Sequence, residues 1–243
     1  RAAVAGGVTT VCDMPNTSPN TDTLERFRDK KRIAEKKSSV DFGLHGLLSG
    51  RTEDEEEILN AGAASLKLYP ENWEASDLSR LDGEGRVLTV HPENPDVLRE
   101  DLLTSDDVEA FLKSRPREAE TSGIEDILNT PSDFHIHFCH VTARESLDPL
   151  RRGKGEGGVT AEVTPHHLFL DQSSLEKDGP ISKTYPPLRT EMDRNALIEA
   201  LESGLIDIVA TDHPPHRREE KGRGMAEAPG GIAGIETSLP LRF

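Results

Sequence analysis

The chain has 243 residues, 45 of them acidic against 29 basic, and a formal net charge of −16. A surface this acidic repels nucleic acid and anionic membranes, and no run of 18 apolar residues or signal-peptide pattern marks a membrane or secretory protein. The length suffices to bury a sizeable core, as one large α/β domain or two small ones.

Cys12 and Cys139 fit no disulfide framework, which points to a reducing, cytoplasmic setting. High charge is also a mark of disorder, but the regular apolar runs described next oppose that reading. Arginine outnumbers lysine and aromatics are scarce. We read the acidic surface as adaptation to high salt, where a Debye length of ~3 Å at 1 M screens self-repulsion.

Arg1 to Ala5 followed by Gly6-Gly7 reads as a helix end with a glycine cap. The β-branched run Val8 to Met14 reads as a strand ending in Pro15-Asn16-Thr17. A charged amphipathic helix is expected over Thr23 to Lys37, a strand over Val40 to Leu48, a helix over Glu53 to Asn60 and a strand over Ser65 to Tyr69. Another strand spans Arg86 to His91. Ser105-Asp-Asp carries an N-cap signal, and a second helix runs from Pro116 to Leu128. A strand over Phe134 to Val141, a helix over Thr142 to Arg152 and a loop over Gly153 to Gly158 come next. Val159 to Thr164 forms a strand running into Pro165-His166-His167, and a helix over Met192 to Ser203 leads to the apolar strand Ile206 to Ala210.

Strands alternating with helices specify a parallel sheet with helical crossovers. Polar exceptions recur at or near the strand C-terminal ends: Asn16, Lys67, His91, His140, His166 and Asp212. In a (β/α)8 TIM barrel that face carries the active site. A doubly wound sheet would instead gather its site at one switch point, usually with a glycine-rich phosphate turn, and no such turn opens a helix here. A closed barrel has eight strands and seven are legible, the first beginning after the tail of a helix. The expectation is one catalytic barrel domain over 1–243, incomplete at both ends, with strands 2–8 present.

The stretch Ile206-Asp-Ile-Val-Ala-Thr-Asp-His-Pro-Pro-His216 places a carboxylate and two imidazoles just past a buried strand. Read singly, each histidine here is a core residue with a satisfied polar edge. Taken together, His91, His140 and Asp212 at three strand ends offer the nitrogen and oxygen ligands that Zn²⁺ takes. Lys67, flanked by Leu66 and Leu68, should point into the barrel. A buried ammonium is costly unless paired or neutralised. Reaction with CO₂ would turn it into an anionic carbamate ligand; the alternative is a lysine paired with a buried carboxylate.

Several motifs stand here in the order seen in dihydroorotases, cyclic amidohydrolases of the metal-dependent hydrolase type. They are Met14-Pro-Asn-Thr17, Leu66-Lys-Leu-Tyr69, Val90-His-Pro-Glu93, Phe138-Cys-His-Val141, Glu162-Val-Thr-Pro-His-His-Leu168, Lys183-Thr-Tyr-Pro-Pro-Leu-Arg189, Thr211-Asp-His-Pro-Pro-His216 and Gly234-Ile-Glu-Thr237. The resemblance spans essentially the whole chain, and the combination of motifs is specific where no single one is.

The resemblance implies two zinc ions bridged by carboxylated Lys67. His91 and His140 would hold the more buried ion. Asp212 would bind the other and act as general acid/base. Asn16 and His216 would grip the substrate, and backbone near Gly230 and Gly231 would close over it. The implied substrate pair is dihydroorotate and N-carbamoyl-aspartate, in pyrimidine biosynthesis. A homodimer or an association with aspartate transcarbamoylase is the implied assembly.

Two departures stand out. The family's His-x-His pair and a substrate arginine lie on a first strand that is absent here, and Tyr185 stands where the family often has asparagine. His45, His135 and His137 read as structural, His213 as a support beside the ligands, and His166 and His167 as without a metal role. Competing readings are a hydantoinase or allantoinase, which Met-Pro-Asn-Thr and Leu-Lys-Leu-Tyr disfavour, and a non-catalytic dihydroorotase-like scaffold. A scaffold need not keep Lys67, His91, His140 and Asp212 together.

Overall fold

Seven short strands form one parallel sheet whose spatial order repeats their order in sequence, in a computed structural model that describes residues 1–104 and 106–242. They are β1 (Thr10–Asp13), β2 (Asp41–Leu47), β3 (Ser65–Leu68), β4 (Val87–Val90), β5 (His135–Phe138), β6 (Val159–Val163) and β7 (Ile208–Val209). The sheet curls into an incomplete barrel, as the seven legible strands lead one to expect. Among the described residues β1 and β7 each pair on one side only.

The helices are α1 (Ala2–Ala5), α2 (Leu24–Lys37), α3 (Thr52–Asn60), α4 (Val108–Ser114), α5 (Arg117–Asn129), α6 (Leu147–Glu156), α7 (Pro165–Phe169), α8 (Gln172–Asp178), α9 (Glu191–Glu202) and α10 (Arg218–Lys221). Thr23 caps α2 by accepting from the Arg26 amide, and Thr190 with Asp193 forms a capping box at α9. Of the N-cap signal at Ser105-Asp-Asp, Ser105 lies outside the described residues, and Asp107 caps α4 by accepting from the Glu109 amide. The stretch expected to loop from Gly153 instead stays helical to Glu156. Within it, a Cβ on Gly153 would come within 2.7 Å of the Leu128 side chain, so glycine lets α6 lie close against α5, and the helix stops at Gly157, whose φ is +88°.

The two faces of the sheet have opposite chemistry, because side chains alternate along each strand. Toward the helices point Leu44, Leu66, Leu68, Leu88, Val90, Ile136, Phe138, Ala161 and Val163, all buried in one core with Ile58, Ile124, Leu150 and Leu197. On the inner face the register aligns Lys67 with Thr89, Thr89 with His137, and His137 with Thr160. That face is held by polar links rather than by apolar packing. Ser65 Oγ lies 2.7 Å from both His45 Nδ1 and Thr89 Oγ1. The Thr160 hydroxyl lies 2.9 Å from a ring nitrogen of each of His135 and His137.

Candidate active site

The strand ends bring Lys67, His91 and His140 together. Lys67 is 1% exposed, and its Nζ donates to Cys139 Sγ at 2.9 Å. The rings of His91 and His140 meet edge to face with centroids 4.6 Å apart. Burial lowers the pKa of His91, and burial followed by the nearby His91 pushes that of His140 well down. Both imidazoles are thereby held neutral, the form in which they ligate metals. The Nδ1 of His140 is buried with no hydrogen-bond partner. An orphaned buried nitrogen beside a second neutral imidazole is what a metal ligand set looks like before the ion is placed.

His91 is aimed by a carboxylate. Its Nε2 donates to Glu93 Oε2 at 2.7 Å, and Glu93 is itself fully buried and ion-paired with Arg115. Burial alone would raise the Glu93 carboxyl, but Arg115 and the His91 hydrogen bond outweigh it and hold its pKa at about 2. A carboxylate behind a ligating histidine fixes the ring's orientation and tautomer.

Asp212 follows β7 in a turn, half-buried, with φ +39°. Burial raises its pKa to about 6, against the opposing pull of Lys67. Among the described residues, only His140 (φ +34°) and Asp212 are non-glycine residues with positive φ. Such strain persists where the surroundings over-determine a conformation, and it clusters at functional sites.

The expected substrate contacts divide. His216 is exposed and its Nε2 donates to the Gly230 carbonyl at 3.1 Å. Gly231 has φ +122°, and a Cβ there would strike Pro214 at 1.9 Å, so the turn after Asp212 and the Gly230-Gly231 segment fit only because a glycine stands there. Asn16 lies exposed in the turn after β1, and among the described residues no hydrogen bond or ion pair joins it to the cluster. His213 Nδ1 accepts from the Ile235 amide at 3.3 Å, tying the Asp212 turn to the following segment. Tyr185 fills a packing role: it stacks under Arg115 at 4.1 Å, and a Cβ on Gly230 would sit 2.6 Å from its ring.

A second group could also hold a metal. The ligand atoms of His137, Cys139 and Glu162 lie within 4.8 Å of one another on the inner face. His137 Nε2 donates to Glu162 Oε2 at 3.1 Å, and Cys139 is engaged by Lys67, so these side chains also satisfy one another. The sequence pattern assigns His137 a structural role and gives Cys139 and Glu162 none. The available signal was strand alternation, which puts all three on the face that carries Lys67. His166 and His167 are both buried; His167 is held by Thr164 and by the Pro186 carbonyl.

No family model matches the chain. It is 36% identical over 264 residues to the dihydroorotase of Methanosarcina mazei, covering 99% of this chain and 58% of that protein. It is likewise 36% identical to the dihydroorotase of Halobacterium salinarum, over 99% of this chain and 59% of that one. Among solved structures, the L-hydantoinase (dihydropyrimidinase) of Arthrobacter aurescens superposes with a TM-score of 0.88 at 28% identity, covering 99% of this chain and 58% of that one. The chain thus spans a little under three fifths of the length of each.

Proposed function

Since the chain belongs to the dihydroorotase family, we propose that it forms part of an enzyme that reversibly hydrolyses the ring amide of dihydroorotate to N-carbamoyl-aspartate in pyrimidine synthesis. The observation that carries this reading is the convergence of buried Lys67, His91 and His140 at three adjacent strand ends.

Lys67, as its carbamate, together with His91, His140 and Asp212 would hold zinc. Bound there, zinc supplies Lewis acidity and an activated water near neutral pH. Asp212 takes a proton from the attacking water and passes it to the leaving ring nitrogen, one group serving as base and then acid. A carboxyl whose pKa burial lifts to about 6 suits that double duty. Glu93 keeps His91 oriented. Asn16 and His216 hold the substrate's carboxylate and ring, with Gly230 and Gly231 against it. The cytoplasm is the proposed compartment, with a second copy or aspartate transcarbamoylase as the proposed partner.

A second reading, another cyclic amidohydrolase such as a hydantoinase, is favoured by the hydantoinase fold match. Assaying the full-length, zinc-loaded protein against dihydroorotate, hydantoins and allantoin separates the two. Turnover of dihydroorotate alone supports the first reading. Turnover of hydantoins without dihydroorotate overturns it. Lys67→Ala should be inactive and partly restored by short carboxylic acids, which replace the anionic bridge.

A further inference from the structure

The segment from Met225 to Gly231 lacks regular secondary structure, yet it is held by two buried ammonium groups. Lys183, fully buried, donates to the carbonyls of Met225 at 2.6 Å and Ala228 at 2.7 Å. Lys221, at the end of α10, donates to the carbonyls of Lys183, Pro229 and Gly231, each at 3.0 Å. No ion pair joins either lysine to a carboxylate among the described residues. The three N–H donors of one ammonium meet three carbonyl oxygens, which satisfies the charge without a counter-ion. The Lys183 carbonyl also accepts from the Gly231 amide at 2.8 Å. Within Pro229–Gly231, His216 takes the one carbonyl that Lys221 leaves, that of Gly230.

We propose that Lys221 is a positioning residue whose caged ammonium sets the shape of Pro229–Gly231 and, through it, the surface against which the cyclic amide is held. The part concerning substrate rests on the function proposed above; the caging of the segment does not.

Protonation matters because a neutral amine has two N–H donors for three carbonyls and turns a lone pair toward the third. Burial first, then the charge of Lys183, brings the Lys221 amine down to about 8. The other groups facing it are few. His166 on α7 feels its charge, and on α10 itself the Glu220 carboxylate is taken by the Arg217 amide.

The test uses the full-length, zinc-loaded enzyme with Lys221→Met and Lys221→Ala. Amide hydrogen exchange over residues 224–231 should quicken in both variants while the strands keep their protection. KM should rise about tenfold, the scale of one charge-assisted hydrogen bond, with kcat within about twofold. Wild-type KM should climb above about pH 8, and that limb should vanish in Lys221→Met. Propylammonium, which refills the cage, should restore Lys221→Ala. Unchanged exchange in the variants, a fall in kcat at constant KM, or persistence of the alkaline limb in Lys221→Met overturns the proposal. If the wild type hydrolyses no cyclic amide, the functional reading fails, and exchange with and without propylammonium decides the role of Lys221 alone.

Discussion

His140 and Asp212 sit in left-handed backbone conformations that side chains rarely adopt, just past the ends of β5 and β7. If both are ligands, their loss should be unlike that of ordinary buried residues. His140→Ala keeps a Cβ and so leaves the backbone strain in place while removing the proposed ligand, so metal content and turnover should fall together; metal analysis and an activity assay on one sample check this. Asp212→Asn should retain the fold and lose turnover by about 10²–10⁴-fold, measured as kcat; a loss below tenfold would remove it as the proton carrier. Glu93→Gln should weaken metal retention about 10–100-fold, read by competition with a chelator. The proposed ligands stood out in the sequence because each is a polar residue at or near the end of an apolar strand. Their supports did not: Arg115 reaches Glu93 from 22 residues away and Cys139 meets Lys67 from 72 away, and no local pattern encodes such distances.

Among the elements, α9 starts on a capping box whose carboxylate is buried. Asp193 is buried and accepts from the Thr190 amide and hydroxyl, from the Arg144 amide and from the Arg117 guanidinium at 2.7 Å. Burial would raise its carboxyl, but these donors together lower it below the usual aspartate value. Asp193→Ala strands several buried donors and should cost about 2–4 kcal/mol in denaturant unfolding. A lowered folded pKa means that the stabilisation is fully present above the unfolded value near 3.8 and is lost as pH falls through the folded one. The mutant's deficit should therefore shrink in acid. The long elements α2, α5 and α9 were readable as helices from the sequence, although the Thr190 cap of α9 was not. The helices α7, α8 and α10 were not, because one or two turns offer too few positions for a period to emerge. Tertiary demand rather than local preference made them: α7 buries His166 and His167, and α10 delivers Lys221 to its carbonyl cage.

For the whole molecule, the acidic surface carries a net charge of −16 with most ion pairs exposed or partly so. Exposed pairs contribute little, so screening self-repulsion should dominate the response to salt. Raising sodium chloride from 0.1 M toward 1 M should increase the melting temperature, by about 2–4 °C for each kcal/mol gained. A falling melting temperature would remove high-salt adaptation as the reason for the composition. The fold class was legible because strand and helix alternate; the two-residue length of β7 was not, since the apolar run Ile206 to Ala210 promised more than the sheet uses.

The strand order carries a kinetic consequence. Every strand pairs with its immediate predecessor in sequence, so each addition to the sheet closes only the loop of one crossover. The sheet can therefore grow in the direction of synthesis, each new strand docking on an edge already formed. Lys67 enters on the third strand and meets Cys139 only at the fifth, so the first groups of the proposed site come together midway through that growth, and Asp212 joins them only after β7.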